Sequence, residues 1–150
     1  MANTYCSINV HYVFCTKGRA PLITGELRDR LARYISGILR KYGVKTVCIG
    51  GTSDHLHLLA SLPATISVSK TAQVAKGSSS KWVHETFPDK RDFSWQEGYG
   101  AFSVSVSHVQ EAVAYITSQA ERHHKKTFQE EYIAFLRKHN VEYDERYLWG

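Results

Sequence analysis

The stretch VKTVCIGGTSDHLHLLASLP, residues 44–63, decides how this chain folds. Its second half alternates: Leu56, Leu58, Ala60 and Leu62 share one parity, and His55, His57, Leu59 and Ser61 share the other. Side chains on a strand point to opposite faces in turn, so the leucines enter a core and both histidines leave by the other face. Residues 44–51 read as a short β-branched strand, and residues 52–54 as the turn of a hairpin that joins the two.

Working outward, residues 4–17 place Ile8, Val10, Tyr12 and Phe14 on one parity and Ser7, Asn9 and His11 on the other, which predicts a strand. Thr24 and Glu26 then open a helix whose stripe is Leu27, Leu31, Tyr34, Ile35 and Ile38, closed by Gly43. Pro63 ends the histidine strand. A second helix starts near Ser67, with Gly77 and three serines weakening its middle. The aromatic-rich DFSWQEGYGAFSVSVS predicts one or two strands around the turn at Gly98 and Gly100. Ser107 and His108 cap a helix over VQEAVAYITSQAERHHKK, and FQEEYIAFLRKHN supplies a last one. The order β-α-β-β-α-β implies an α+β, ferredoxin-like antiparallel sheet with helices on one face and helices appended at the C-terminus. Residues 1–150 read as a single domain. One sheet face is left open for bases, an active site or a dimer interface.

Composition sets the outer limits. With 43% hydrophobic and 22% charged residues, the chain is expected to be globular rather than disordered. Nineteen basic against fourteen acidic residues give a net charge of +5, a weak bias toward nucleic acid. Apolar runs are too short to span a bilayer, no secretory leader is visible, and Cys6, Cys15 and Cys48 form no C-x-x-C pair. A cytoplasmic protein with reduced thiols is the expectation.

Histidines two apart on a strand lie about 6.5–7 Å apart at Cα, close enough to converge on one metal. The same pattern suits two exposed strand histidines, and the zinc-hydrolase spacings are absent. A second oddity lies on the helix after Ser107. Val109, Ala112, Val113, Ile116 and Ala120 form its stripe, and Tyr115 falls roughly 120° away on the flank. Gln119 is its neighbour on that flank, either as a plain surface pair or as a working one. A phenol oxygen can attack phosphorus, and an amide oxygen can bind a hard cation.

Five pieces in order carry a family resemblance: HYVFCTKGRAPLI, GGTSDHLHLLASLP, KGSSSKWV, WQEGYGAFSVS and VAYITSQAERHH. Together they resemble the single-tyrosine HUH transposases of small bacterial insertion sequences that move as single-stranded DNA. The resemblance implies a ferredoxin-like fold, dimeric through the sheet, in which the tyrosine helix of one subunit completes the site of the other. It implies His55, His57 and Gln119 as ligands of Mg²⁺ or Mn²⁺ and Tyr115 as the nucleophile, acting through a 5′-phosphotyrosine. The expected partner is single-stranded DNA with hairpin ends, and no membrane. Lys17, Arg19, Lys70, Lys76 and Lys81 stand as phosphate contacts or solvated surface, with His11 a strand residue near the site. Trp82, Trp95, Tyr99 and Phe102 stack bases or fill the core. Tyr143 and Tyr147 lack a glutamine four residues on, so Tyr115 is preferred. Three other readings compete: a domesticated nuclease that processes chromosomal repeats, a non-catalytic nucleic-acid module, and a metal-dependent phosphohydrolase that ignores Tyr115.

Overall fold

Strands β1 (Asn9–Cys15), β2 (Lys45–Gly51), β3 (His55–Ser61) and β4 (Gly100–Val104) form one antiparallel sheet in the order β2-β3-β1-β4. The computed structural model describes residues 4–119 and 127–149. Among the described residues, five α-helices accompany the sheet: α1 (Gly25–Arg40), α2 (Val68–Thr86), α3 (Val109–Thr117), α4 (Phe128–Lys138) and the short α5 (Glu145–Leu148). The expected ferredoxin-like α+β arrangement is present, and the hairpin turn falls at residues 52–54.

Helix starts follow their polar residues. The Thr24 hydroxyl accepts from Leu27 N at 3.3 Å, Ser67 Oγ from Lys70 N at 3.0 Å, and Thr127 Oγ1 from Glu130 N at 3.2 Å. Gly77 and its serines do not interrupt α2. Ser79 is buried, donates to the Lys76 carbonyl and accepts from the Trp95 indole at 3.0 Å. The leucine parity packs as predicted. Leu56, Leu58, Ala60 and Leu62 join Val10, Tyr12 and Phe14 in a core closed by Leu27, Leu31 and Ile35 of α1 and Ala72, Val74 and Ala75 of α2.

The opposite face is not bare. The chain covers its own histidine face with α3 and α4: Val13, Cys15 and Phe102 of the sheet pack with Phe128 and Leu136 of α4. Helices α1 and α2 share the leucine face, as expected, and the later helices cover the face that the sequence left open to a partner subunit. The apolar side of α4 has to be buried somewhere, and the uncovered sheet is the nearest apolar surface.

Helix α3 also departs from expectation. Ser107 lies in a 3-10 turn, Val106–His108, and its hydroxyl meets His108 Nδ1 at 3.2 Å, so no side chain caps the helix. Ser118 leaves helical geometry (φ −106°, ψ 21°), which ends α3 after nine residues. The predicted continuation through Ala120, His123 and His124 lies outside the described residues.

A helix this short depends on its tertiary seat. That seat is Gly50 in β2, where a Cβ would collide with the Ile116 carbonyl and its side chain. Ile116 is itself fully buried. Gly50→Ala is expected to lower stability by about 1–3 kcal/mol, the usual range for overpacking, as read by urea unfolding. It should displace α3 while leaving the leucine core intact.

Candidate active site

Strand register sets the site. In β3, His55 lies opposite Cys15 and His57 opposite Val13 of β1, with His11 two residues further along the same face. The two imidazole rings stand 5.1 Å apart between centroids, nearly perpendicular. Both are buried beneath α3 and α4 rather than exposed.

Four groups organise His55. Its Nδ1 meets Asp54 Oδ1 at 2.8 Å and the Thr52 hydroxyl at 3.1 Å, and Thr52 also donates to Asp54. Its Nε2 faces Gln119 Oε1 at 3.1 Å, and its ring stacks on Phe128 at 4.1 Å. The Gln119 amide is oriented by its own donor, because Nε2 gives a hydrogen bond to the Tyr115 carbonyl at 3.2 Å. The 3.1 Å separation suits either an Nε2–H donated to the Gln119 oxygen or a cation held by both atoms.

His57 is held from the other side. Its Nδ1 meets His11 Nε2 at 2.8 Å, diagonally across the strand pair. The Tyr115 ring stands edge-on to His57 at 5.5 Å and to His11 at 6.2 Å. Its phenol donates to Glu131 Oε2 of α4 at 2.9 Å. Phe135, one turn further along α4, packs its ring 5.2 Å from that of Tyr115. The phenol therefore leaves α3 toward α4, and the amide, two residues past the end of α3, points to β3.

Burial acts on the neighbouring charges. Desolvation, with help from His139, lowers the His11 pKa to about 4, so His11 is neutral at pH 7. Burial pushes the Asp54 carboxyl up, yet the His55 and Thr52 hydrogen bonds and Arg19 hold it below its ordinary value. A cavity of about 470 Å³ opens beside Tyr115 and His11, walled by Phe102 and Phe135 and rimmed by Ser103 and Lys138. It is large enough for a nucleotide.

The structure thus unites His55, His57, Gln119 and Tyr115, all within one chain. It also brings in His11, only 2% exposed, as a partner of His57 rather than a surface phosphate contact. Lys17 and Arg19 follow β1 in a turn bound to the Asp54 loop, at the His55 end of the site. Lys70, Lys76 and Lys81 belong to α2, on the far side of the sheet. Lys76 is committed there, donating to the Gln96 and Gly98 carbonyls at 2.7 and 2.6 Å. Of the aromatic residues, Trp95 and Phe102 are buried and Trp82 stacks on Tyr34 at 4.8 Å, while Tyr99 keeps 38% exposure. Tyr147 is exposed at the tail, remote from the histidines in the contacts it makes.

Sequence reasoning missed Asp54 and Glu131. Asp54 was in view as the residue before the first histidine. Glu131 carried a signal as well: it interrupts an apolar stripe of Phe128 and Phe135 at helical spacing. Among the described residues, no three His, Cys, Asp or Glu side chains cluster as a metal-holding group.

Comparison with known proteins supplies the family. The family described as "Transposase IS200 like" matches residues 4–119. The chain belongs to this family of IS200-like transposases, enzymes that process DNA. It is 33% identical over 109 residues to the transposase for insertion sequence element IS200 of Salmonella typhimurium, covering 66% of this chain and 68% of that one. It is 23% identical over 120 residues to the ISDra2 transposase TnpA of Deinococcus radiodurans, covering 77% and 86%. Among solved structures, a candidate transposase from Deinococcus radiodurans R1 has a TM-score of 0.66 at 19% identity, covering 78% and 96%. A REP-associated tyrosine transposase bound to a REP hairpin has a TM-score of 0.55 at 16% identity, covering 77% and 68%. These two show a shared fold. No helix among the described residues is long and apolar enough to cross a membrane.

The lowered His11 pKa sets a pH window. Its folded-state value lies below the ordinary 6.5, so the unfolded chain takes up the proton first as pH falls. Stability is complete above about 6.5 and is lost down to about 4, on the order of 3 kcal/mol by linkage. Urea unfolding at pH 7 and pH 4.5 should show this loss in the metal-free protein, and a clearly smaller one in His11→Gln.

Proposed function

We propose that the chain is a single-stranded DNA transposase that cuts and rejoins through Tyr115. The observation that carries this reading is the 3.1 Å meeting of His55 Nε2 and Gln119 Oε1 beside the Tyr115-bearing helix. Such a pair suits a divalent cation, and its donors, imidazole nitrogen and amide oxygen, fit Mg²⁺ or Mn²⁺ in a mixed site. His55, His57 and Gln119 would hold it. When bound, it supplies charge neutralisation at the scissile phosphate.

The chain's own residues do the rest. Asp54 and Thr52 fix the ring of His55, and His11 fixes that of His57, so that both Nε2 atoms are oriented before any ligand arrives. Tyr115 attacks phosphorus and forms a 5′-phosphotyrosine, releasing a 3′-hydroxyl. The link conserves the phosphodiester energy, so another 3′-hydroxyl can reverse the step and join a new strand. The aromatic-walled cavity beside Tyr115 gives the DNA strand a place to lie, and Arg19, in the turn that begins at Lys17, acts on Asp54 at the His55 end of the site. Hairpin-ended single strands are the substrate class, and residues 1–150 act as one unit. Pairing into a homodimer is part of the reading, though Tyr115 already reaches the histidines of its own chain.

Labelled single-stranded DNA carrying an end hairpin, incubated with Mn²⁺, should yield a protein–DNA adduct on a denaturing gel. Tyr115→Phe should yield none, and His57→Ala should lose cleavage while retaining hairpin binding. Cleavage that persists in Tyr115→Phe without an adduct would mark a water-using hydrolase instead. Asp54→Asn is expected to weaken Mn²⁺ binding about 10–100-fold by calorimetry, the range for loss of a partner behind a metal-binding histidine.

A further inference from the structure

Tyrosine is a weak nucleophile at neutral pH, with an ordinary pKa near 10, and nothing in the histidine motif removes its proton. The structure places a carboxylate where that proton sits. Glu131 Oε2 accepts the phenol hydrogen bond at 2.9 Å, and Glu131 is only 7% exposed.

We infer that Glu131 is the general base that deprotonates Tyr115 during strand cleavage and returns the proton during rejoining. The inference rests on Tyr115 being the nucleophile. Three observations carry it. The carboxylate touches the reacting oxygen itself, at a distance suited to direct proton transfer. It is buried on an otherwise apolar face of α4, between Phe128 stacked on His55 and Phe135 packed on Tyr115. A carboxylate there is expensive to bury unless it is hydrogen-bonded, and an apolar residue would pack α4 with less penalty. Finally, α4 lies beyond residues 4–119, the part of the chain that the family match covers. The proposed base thus comes from a helix outside that shared region.

Among the described residues, other titratable groups approach the phenol or line the cavity beside it. His57 of β3 and His11 of β1 approach its ring, and Glu111 of α3 and Lys138 and His139 of α4 line the adjoining cavity. Glu131 is the group that accepts the phenol's hydrogen bond.

The step balances without any redox partner. The Tyr115 oxygen forms a bond to phosphorus as the bond from phosphorus to the 3′-oxygen breaks. The phenol proton passes to the Glu131 carboxylate, and the departing 3′-oxygen takes a proton from water. In rejoining, an incoming 3′-hydroxyl attacks phosphorus, loses its proton to water, and the tyrosine oxygen leaves with the proton held by Glu131.

The test is the rate of adduct formation on hairpin-ended single-stranded DNA with Mn²⁺, from pH 6 to 9, with wild type and Tyr115→Phe as references. Glu131→Gln keeps the size and a hydrogen-bonding oxygen but cannot take the proton. It is expected to fold and bind the hairpin like wild type, yet form adduct roughly 100-fold more slowly at pH 7. Its rate should climb about tenfold per pH unit toward the phenol pKa, so the gap to wild type narrows by pH 9. Glu131→Asp should be slower than wild type but keep a flat profile over that range. A folded Glu131→Gln with the wild-type rate and profile would overturn the assignment. So would a slow variant whose ratio to wild type is the same at every pH, since that marks a structural role. If Glu131→Gln fails to fold, Glu131→Asp decides: a hydroxide-dependent rate there refutes the base. No adduct in wild type, or adduct in Tyr115→Phe, refutes the nucleophile instead and is read separately.

Discussion

The site depends on one close approach. The Ile116 carbonyl of α3 occupies the space that a side chain at Gly50 would fill, and this contact seats the nine-residue, uncapped helix on the sheet. From that seat, Gln119 reaches His55 and the Tyr115 ring reaches His57. Pushing the helix outward by the width of a methyl group would separate donors that now meet at 3.1 Å. The glycine at the end of β2 is therefore as much a part of the site as the histidines of β3.

A second layer of polar groups surrounds that contact. Asp54 and Thr52 grip one imidazole and His11 grips the other, all from strands or the turn between them. Strand backbones are stiff, so both rings are oriented in advance. Helix α4 then acts as a lid of aromatic side chains. Phe128 stacks on His55, Phe135 packs on Tyr115, and Glu131 between them is only 7% exposed. Burial strengthens each electrostatic contact beneath the lid.

Much of this was legible in the sequence. The period-two patterning of residues 55–62 predicted which side chains enter the leucine core, because parity has only two answers on a strand. The Tyr115 and Gln119 pair was legible through its displacement from the apolar stripe. Its meaning was not, since a flank can face solvent or a second surface, and local spacing carries no record of which. Covering of the histidine face by α3 and α4 was hidden for the same reason. So was the diagonal contact of His11 with His57, residues 46 apart in sequence, which follows from register rather than from any motif. Lys76 misled because a lysine that ties down two carbonyls looks the same in sequence as one that meets a phosphate.

The tail after α4 has a practical bearing. Trp149 packs against Phe128 and Tyr132, and the Leu148 carbonyl accepts a hydrogen bond from Gln96 at 3.0 Å, so these last residues brace the lid from behind. The opposite end is different: Tyr5 is 94% exposed and lies outside both hydrophobic clusters. An affinity handle or fluorescent fusion placed ahead of β1 therefore leaves the catalytic face undisturbed, whereas one spliced directly behind Trp149 pulls on the ring that stacks over His55.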